Sequence, residues 1–263
     1  MLRIGSVPYL VARPLIAGLS DRPDVELSFA PPNELASKLK NGKLDIALAS
    51  SVLSLQNPEL RLWETGPMVA CEGPVKSVAM YLRPGLTDPQ QAHTIALDQH
   101  SCSGRELVRI ILREKWPAER KFIEIGHSTD PLVAAQSAGC DAIQLIGDPA
   151  LRARLEHPDW ECIDLGEEWH QLTGLPFVFA GWTGRQGFDP SYAAPTLESS
   201  AELGLSCLNE LADFALRNFE TTAAAHNFDF HHYLSKCIRY QLPAGQVRAA
   251  IAAFAKHRLP AAV

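Results

Sequence analysis

The stretch "LDQHSCSGRELVRIILREKW", residues 97–116, passes from an apolar segment through Ser101, Ser103 and Gly104 into an amphipathic one. Two small hydroxyl residues and a glycine at the start of a helix are the ingredients of an anion site. The first N–H groups of a helix lack internal acceptors, and the helix dipole adds partial positive charge there. Glycine lets a ligand approach the backbone closely, and hydroxyls supply further donors. A carboxylate suits such a nest. The alternative, that Ser101 or Ser103 is simply an N-cap, accounts for only one of the hydroxyls. Neither G-x-x-x-x-G-K-[ST] nor G-x-G-x-x-G occurs, so the sequence indicates neither a nucleoside triphosphate nor a dinucleotide.

Other turns fall at equivalent places in the pattern. "SVPYLV" leaves the first strand and "ASS" leaves the third, which sends Tyr9, Ser50 and Ser51 towards the same cleft. Tyr9 is suited equally to stacking on a ring and to capping the core. In "CEGPVKSV" Lys76 reads as a solvated charge, whereas Ser77, on the opposite face of a strand, points to the cleft. Cys102 at a helix start is a candidate for a lowered thiol pKa, although no partner histidine can be assigned to it. Asp148 before Pro149 reads as an N-cap rather than a catalytic acid. The histidines, His231 and His232 included, form no constellation.

These residues need a scaffold, and the chain supplies alternating elements. Strands are expected at 2–7, 24–30 and 44–50, with helices at 13–19 and 32–43 between them. That β-α-β-α-β order implies parallel pairing with helices over the sheet. A second unit follows, with strands at 94–98, 121–126, 141–147 and 161–166 and helices at 103–116, 130–138 and 148–155. After "FVFAGW" (177–182) the chain turns helical to its end. Leu203, Leu208, Leu211 and Ala215 are expected to line one helix face, and Val247, Ile251 and Phe254 another. The expectation is an α/β fold of two lobes, each a mostly parallel sheet flanked by helices, with the ligand cleft between them. Residues 1–82 and 180–263 would form the first lobe and 83–179 the second.

Composition narrows the partners. The 263 residues carry a formal net charge of −6, and no stretch clusters Lys and Arg, which argues against nucleic acid. No apolar run approaches the roughly 20 residues of a membrane span, and "MLRIGSVPYL" lacks the features of a signal peptide. A cytoplasmic protein is expected. The six cysteines, at 71, 102, 140, 162, 207 and 237, show no C-x-x-C spacing and read as reduced thiols rather than a disulfide framework or zinc site.

In order along the chain, "RIGSVPYLVARPL", "GKLDIALASS", "ACEGPVKSV", "LDQHSCSGRELV", "DAIQLIGDPAL" and "DLGEEWHQLTGLPFVFAGW" resemble the successive motifs of the chorismate dehydratase family. That family, in the MqnA/MqnD group, opens the futalosine route to menaquinone and has the fold of type II periplasmic binding proteins. The resemblance spans residues 3 to about 185 and weakens in the helical tail. It implies a hydro-lyase that converts a small anionic substrate, chorismate, to 3-[(1-carboxyvinyl)oxy]benzoate and water, with no cofactor and no metal. It also implies that one substrate carboxylate rests on Ser101, Ser103 and Gly104, and the other near Ser77 or Ser50 and Ser51. The catalytic base is not visible, and the substrate's own side-chain carboxylate is a candidate. Two motifs depart from the family pattern. Val11 stands where the family usually has asparagine, and "SCSG" puts Cys102 and Gly104 in place of an arginine and a serine, with Arg13, Lys76 or Arg105 as compensating cations. A related lyase on another enolpyruvyl or aromatic carboxylate, or a non-catalytic small-anion-binding protein, are the alternatives. Association as a homodimer stays open.

Overall fold

The computed structural model describes residues 1–126, 128–189, 192–219 and 226–258. Eleven strands are arranged in two sheets among these residues. The first contains β1 (Leu2–Ser6), β2 (Val25–Phe29), β3 (Ile46–Ser50), β4 (Leu60–Leu62), β5 (Met68–Cys71) and β11 (Phe177–Arg185), ordered β2-β1-β3-β11-β4 with β5 also on β11. The second contains β6 (Val78–Leu82), β7 (Thr94–Asp98), β8 (Lys121–Ile125), β9 (Ala142–Ile146) and β10 (Glu161–Asp164), ordered β10-β6-β9-β7-β8.

The expected parallel core of each unit is present. β1 pairs parallel with β2 and β3, and β7 pairs parallel with β8 and β9. Each sheet is nonetheless mixed rather than mostly parallel. β11 returns antiparallel to β3, β4 and β5, while β6 runs antiparallel to both β9 and β10. The reason lies in the connections: the chain crosses between sheets at 72–77 and again at 174–176, and each crossing delivers a strand travelling the opposite way. The first crossing ends before Val78, so residues 78–82, expected with the first lobe, pair in the second sheet.

The α-helices of five residues or more among the described residues are α1 (Pro32–Lys40), α2 (Val52–Gln56), α3 (Ser103–Lys115), α4 (Pro131–Ser137), α5 (Gly147–Glu156), α6 (Leu165–Thr173), α7 (Ala194–Ser206), α8 (Leu208–Phe219) and α9 (Ala244–His257). Two expectations fail locally. The helix expected at 13–19 is a 3-10 segment, Leu10–Leu15, because Pro14 inside it removes a donor and obstructs the α-helical turn. Leu203 does not share a face with Leu208: the chain breaks at Cys207, and Leu203 is 49% exposed. α7 instead turns Leu197, Ala201 and Gly204 inward, and a Cβ at Gly204 would lie 2.0 Å from the Pro14 carbonyl oxygen. That close approach holds the helical return against the Leu10–Leu15 segment, where Ser200 Oγ also lies within hydrogen-bond reach of the Ala17 carbonyl (2.8 Å) and the Leu15 carbonyl (3.1 Å).

The last helix joins the two halves. Phe254 of α9 packs edge-on against Trp169 of α6 and Phe177 of β11, and the Arg113 guanidinium of α3 donates to the His257 carbonyl. Val247 and Phe254 are buried as expected, and Ile251 is partly so. All six cysteines are free thiols.

Candidate functional site

A cavity lies between the sheets. Its walls come from the ends of β1, β3 and β11 on one side and of β6, β7 and β9 on the other. Tyr9, Val11, Ser50, Ser77, Ser101, Ser103 and Gly104 all line it, so residues chosen from four separate turns converge. Ser51 does not. It is fully buried, with its hydroxyl donating to the Val178 carbonyl at 2.5 Å and its amide to the Phe179 carbonyl at 3.0 Å, which ties β3 to β11.

The hydroxyls divide by what their hydrogen bonds leave over. Ser103 donates its amide to Ser50 Oγ (3.1 Å) and its hydroxyl to the Phe179 carbonyl (3.0 Å), so it fastens the start of α3 to the first sheet. Phe179 sits where the β11–β5 register shifts, between Val178 and Ala180. Ser50 and Ser101 differ from Ser103. Each accepts a hydrogen bond from behind, Ser50 from the Ser103 amide and Ser101 from Gln144 Nε2 at 3.3 Å. A hydroxyl has one proton to donate, and on these two it remains free to point into the cavity. The Gly104 amide, in the first turn of α3, adds a third donor without a helical acceptor. Ser77, just before β6, also lines the cavity, its hydroxyl 3.5 Å from the Val75 carbonyl and beside the Tyr233 phenol.

The remaining wall is apolar, with Val7, Leu48, Val69, Val78, Ile146 and Phe179. Tyr9 packs its ring on Gly147, where a Cβ would fall 2.6 Å from Tyr9 Cγ and φ is +61°. The same tyrosine lines a neighbouring cavity with Asp98 and His100, so it partitions the cleft.

The thiol and the phenol on the cavity wall are both held protonated at neutral pH. Burial pushes the Cys102 thiol up to about 11, outweighing the nearby Arg105 charge, so the expectation of a lowered pKa at the helix start is reversed. Burial also raises the Tyr9 phenol, with the Asp98 and Asp148 charges adding to it. Asp148 is not the N-cap of α5, a place taken by Ile146. Its carboxylate instead reaches across the cleft to accept the Leu10 amide at 2.8 Å, and burial raises its pKa. Among the described residues no Arg, Lys, His, Asp or Glu lines the main cavity. Arg13 lies 4.1 Å over the Phe214 ring, Arg105 pairs with Glu124, and Lys76 sits in the crossing at φ +64°. None of the three replaces a lining guanidinium.

Two sheets joined by two crossings, with a cavity between them, define the periplasmic-binding-protein type of fold. Solved structures agree. A protein of Archaeoglobus fulgidus aligns over 97% of this chain and 96% of its own at a TM-score of 0.71 and 15% identity. The periplasmic aliphatic sulphonate binding protein of Escherichia coli aligns over 97% and 85% at a TM-score of 0.63 and 17% identity. A family model described as menaquinone biosynthesis matches residues 2–258, and the chain belongs to that family. Among curated proteins it is 30% identical to the chorismate dehydratase of Thermus thermophilus over 229 residues, 81% of this chain and 79% of the relative. It is also 30% identical to the chorismate dehydratase of Campylobacter jejuni over 89 residues, 32% of this chain and 35% of that relative.

Proposed function

We propose that the protein is a chorismate dehydratase, a hydro-lyase that forms 3-[(1-carboxyvinyl)oxy]benzoate and water. The observation that carries this reading is the cavity itself: a largely apolar wall that suits a ring, with the uncommitted donors of Ser50, Ser101 and Gly104 on it. Similarity to the Thermus thermophilus enzyme supplies the substrate.

The ring carboxylate rests on the Ser50 and Ser101 hydroxyls and the Gly104 amide. The proton on the ring carbon that bears the ether is vinylogously activated by that carboxylate. Its removal sends the electron pair towards the carboxylate, where the donors stabilise the added charge. The pair then returns to form the ring double bond as the neighbouring hydroxyl leaves, takes up the proton as water, and the ring becomes aromatic. With the Cys102 and Tyr9 acids protonated at neutral pH, the substrate's side-chain carboxylate acts as the base, held over the ring by Tyr9, Val11 and Phe179. Val11 offers packing and no hydrogen bond, so the leaving hydroxyl is protonated by the same carboxylate rather than by a side chain at this position. The reading brings with it a place on the futalosine route and in the cytoplasm, and requires no cofactor.

One observation favours a second reading. A dianion in a cavity with no lining cation among the described residues relies on dipoles and hydroxyls, and a monoanionic aromatic or enolpyruvyl carboxylate would make a smaller demand. Incubation with chorismate, followed by liquid chromatography and mass spectrometry against a no-protein control, separates the two. The expected outcome is protein-dependent 3-[(1-carboxyvinyl)oxy]benzoate; tight binding of chorismate without conversion would overturn the dehydratase.

A further inference from the structure

Gln144 stands at the centre of β9, in "AIQLI", with apolar neighbours on both sides and no exposure to solvent. It pairs across β9 with Met80 of β6 and Leu97 of β7. A buried amide in such a place is costly unless its hydrogen bonds are made. One is: Nε2 donates to Ser101 Oγ at 3.3 Å, while Oε1 has no partner among the described residues. The amide lies directly under the first turn of α3. A Cβ at Gly104 would fall 2.8 Å from Gln144 Nε2 and 2.7 Å from Ser101 Oγ, so glycine at 104 is what lets the amide reach the serine.

The hydrogen-bond count gives this arrangement a direction. Ser101 Oγ can accept from Nε2, and its proton then points away from Gln144, into the cavity. If the amide turned over, Ser101 would donate to Oε1 and present only lone pairs to a ligand. In either orientation one amide group stays unpaired, so packing alone prefers neither strongly. An anion in the cavity does prefer one, because it needs the Ser101 proton.

We propose that Gln144 is a positioning residue of the anion site, which aims the Ser101 hydroxyl proton into the cavity and so makes this end of it selective for a carboxylate. The inference rests on the proposed dehydratase and adds to it a residue outside the cavity wall.

The test is Gln144→Met, close in size and without polar atoms. It removes the donor to Ser101 together with the unpaired oxygen, so the melting temperature stays level or rises. Chorismate binding by calorimetry weakens about 10-fold, the scale of one hydrogen bond to a charged group. In a Ser101→Ala background the same substitution changes affinity little, because the hydroxyl it acts through is gone. Gln144→Glu keeps size and polarity, and carries the same comparison should the methionine variant fail to fold. Its carboxylate captures the Ser101 proton and repels the ligand, so binding weakens further. A lowered melting temperature with unchanged affinity would mean a purely structural glutamine and overturn the role. Wild-type protein that neither binds nor converts chorismate would overturn the function and the role with it; wild-type turnover with an unaffected Gln144→Met overturns the role alone.

Discussion

Ser50 and Ser101 sit on opposite walls of one cavity, and each accepts a hydrogen bond that leaves its proton for a ligand. Gly104 is the third member, and its lack of a side chain is a packing requirement. Gly104→Ala would place a methyl 2.7 Å from Ser101 Oγ, 2.8 Å from Gln144 Nε2 and 3.0 Å from Ile146 Cγ2. These atoms lie in a buried cluster with little room to yield, so the variant should lose about 1–3 kcal/mol of stability and bind chorismate at least several-fold more weakly. Thermal melting and calorimetry check both; an unchanged affinity would remove the α3 start from the site. The pH profile is a second test at this scale. The cavity's own acids are held protonated, Cys102 up to about 11 and Tyr9 higher, and no carboxylate or imidazole lines it among the described residues. The first-order rate at saturation should therefore stay flat between about pH 6 and 9, below the titration of a displaced thiol. A bell with a limb near 7 would mean that a side chain supplies the base. The serines and Gly104 were legible in the sequence because a helix start after a strand advertises donors. Ser51 and Ser103 were legible as polar residues, but which carbonyls take their protons depends on β11, some 75 or more residues away. Gln144 carried a signal that could have been read: a lone amide inside an otherwise apolar strand.

At the level of elements, strands with continuous apolar runs were the readable part. β3, "IALAS", is buried at every position, as an interior strand should be, and β7 covers Thr94–Asp98 as expected. Strand direction was less readable, because the mixed sheets arise from the crossings at 72–77 and 174–176 rather than from local pattern. α6 was not among the expected helices: its first residues fell inside the strand expected at 161–166, although Asp164 caps Gly166 and Glu167 there. The same carboxylate also accepts the Val75 and Lys76 amides, which fixes one crossing to the helix that leads to the other. Asp148 makes the corresponding bond from α5 to Leu10. Leu10 is 2% exposed, so Asp148→Ala leaves a buried N–H without its acceptor and should cost about 1–3 kcal/mol. Asp148→Asn keeps an acceptor oxygen, and the comparison with wild type then isolates the charge. Burial raises the Asp148 pKa above its ordinary 3.8, so the native state holds the proton more tightly than the unfolded chain. Wild-type stability relative to the asparagine variant should fall as pH rises from below 3.8 through the raised native value, and level off above it. Melting curves of both proteins across acid to neutral pH read this directly; a difference that grows with pH would reverse the assignment.

For the whole molecule the decisive fact is that the bonds across the cleft belong to the protein and not to a ligand. Ser103 to Ser50 and Phe179, and Leu10 to Asp148, already draw the two sheets together around the cavity. Parting of these bonds would widen the entrance for a ring the size of the proposed substrate, and the two crossings, tied at Asp164, are the segments about which it would occur. Closed and open forms then differ by a few hydrogen bonds, a balance that a ligand bridging Ser50 and Ser101 from the two walls shifts towards closure. Small-angle scattering should show a smaller radius of gyration at saturating chorismate than without it. Ser103→Ala sharpens the argument, because it removes the hydroxyl bond to the Phe179 carbonyl while leaving Ser50, Ser101 and Gly104 in place. The open form should gain population in that variant, so its ligand-free radius should exceed the wild-type value. Apparent affinity should fall by the same factor as the closed fraction, while the saturated radius returns to that of wild type. Equal radii for the ligand-free proteins, with affinity reduced all the same, would place Ser103 among the ligand's own partners rather than among the bonds that close the cleft.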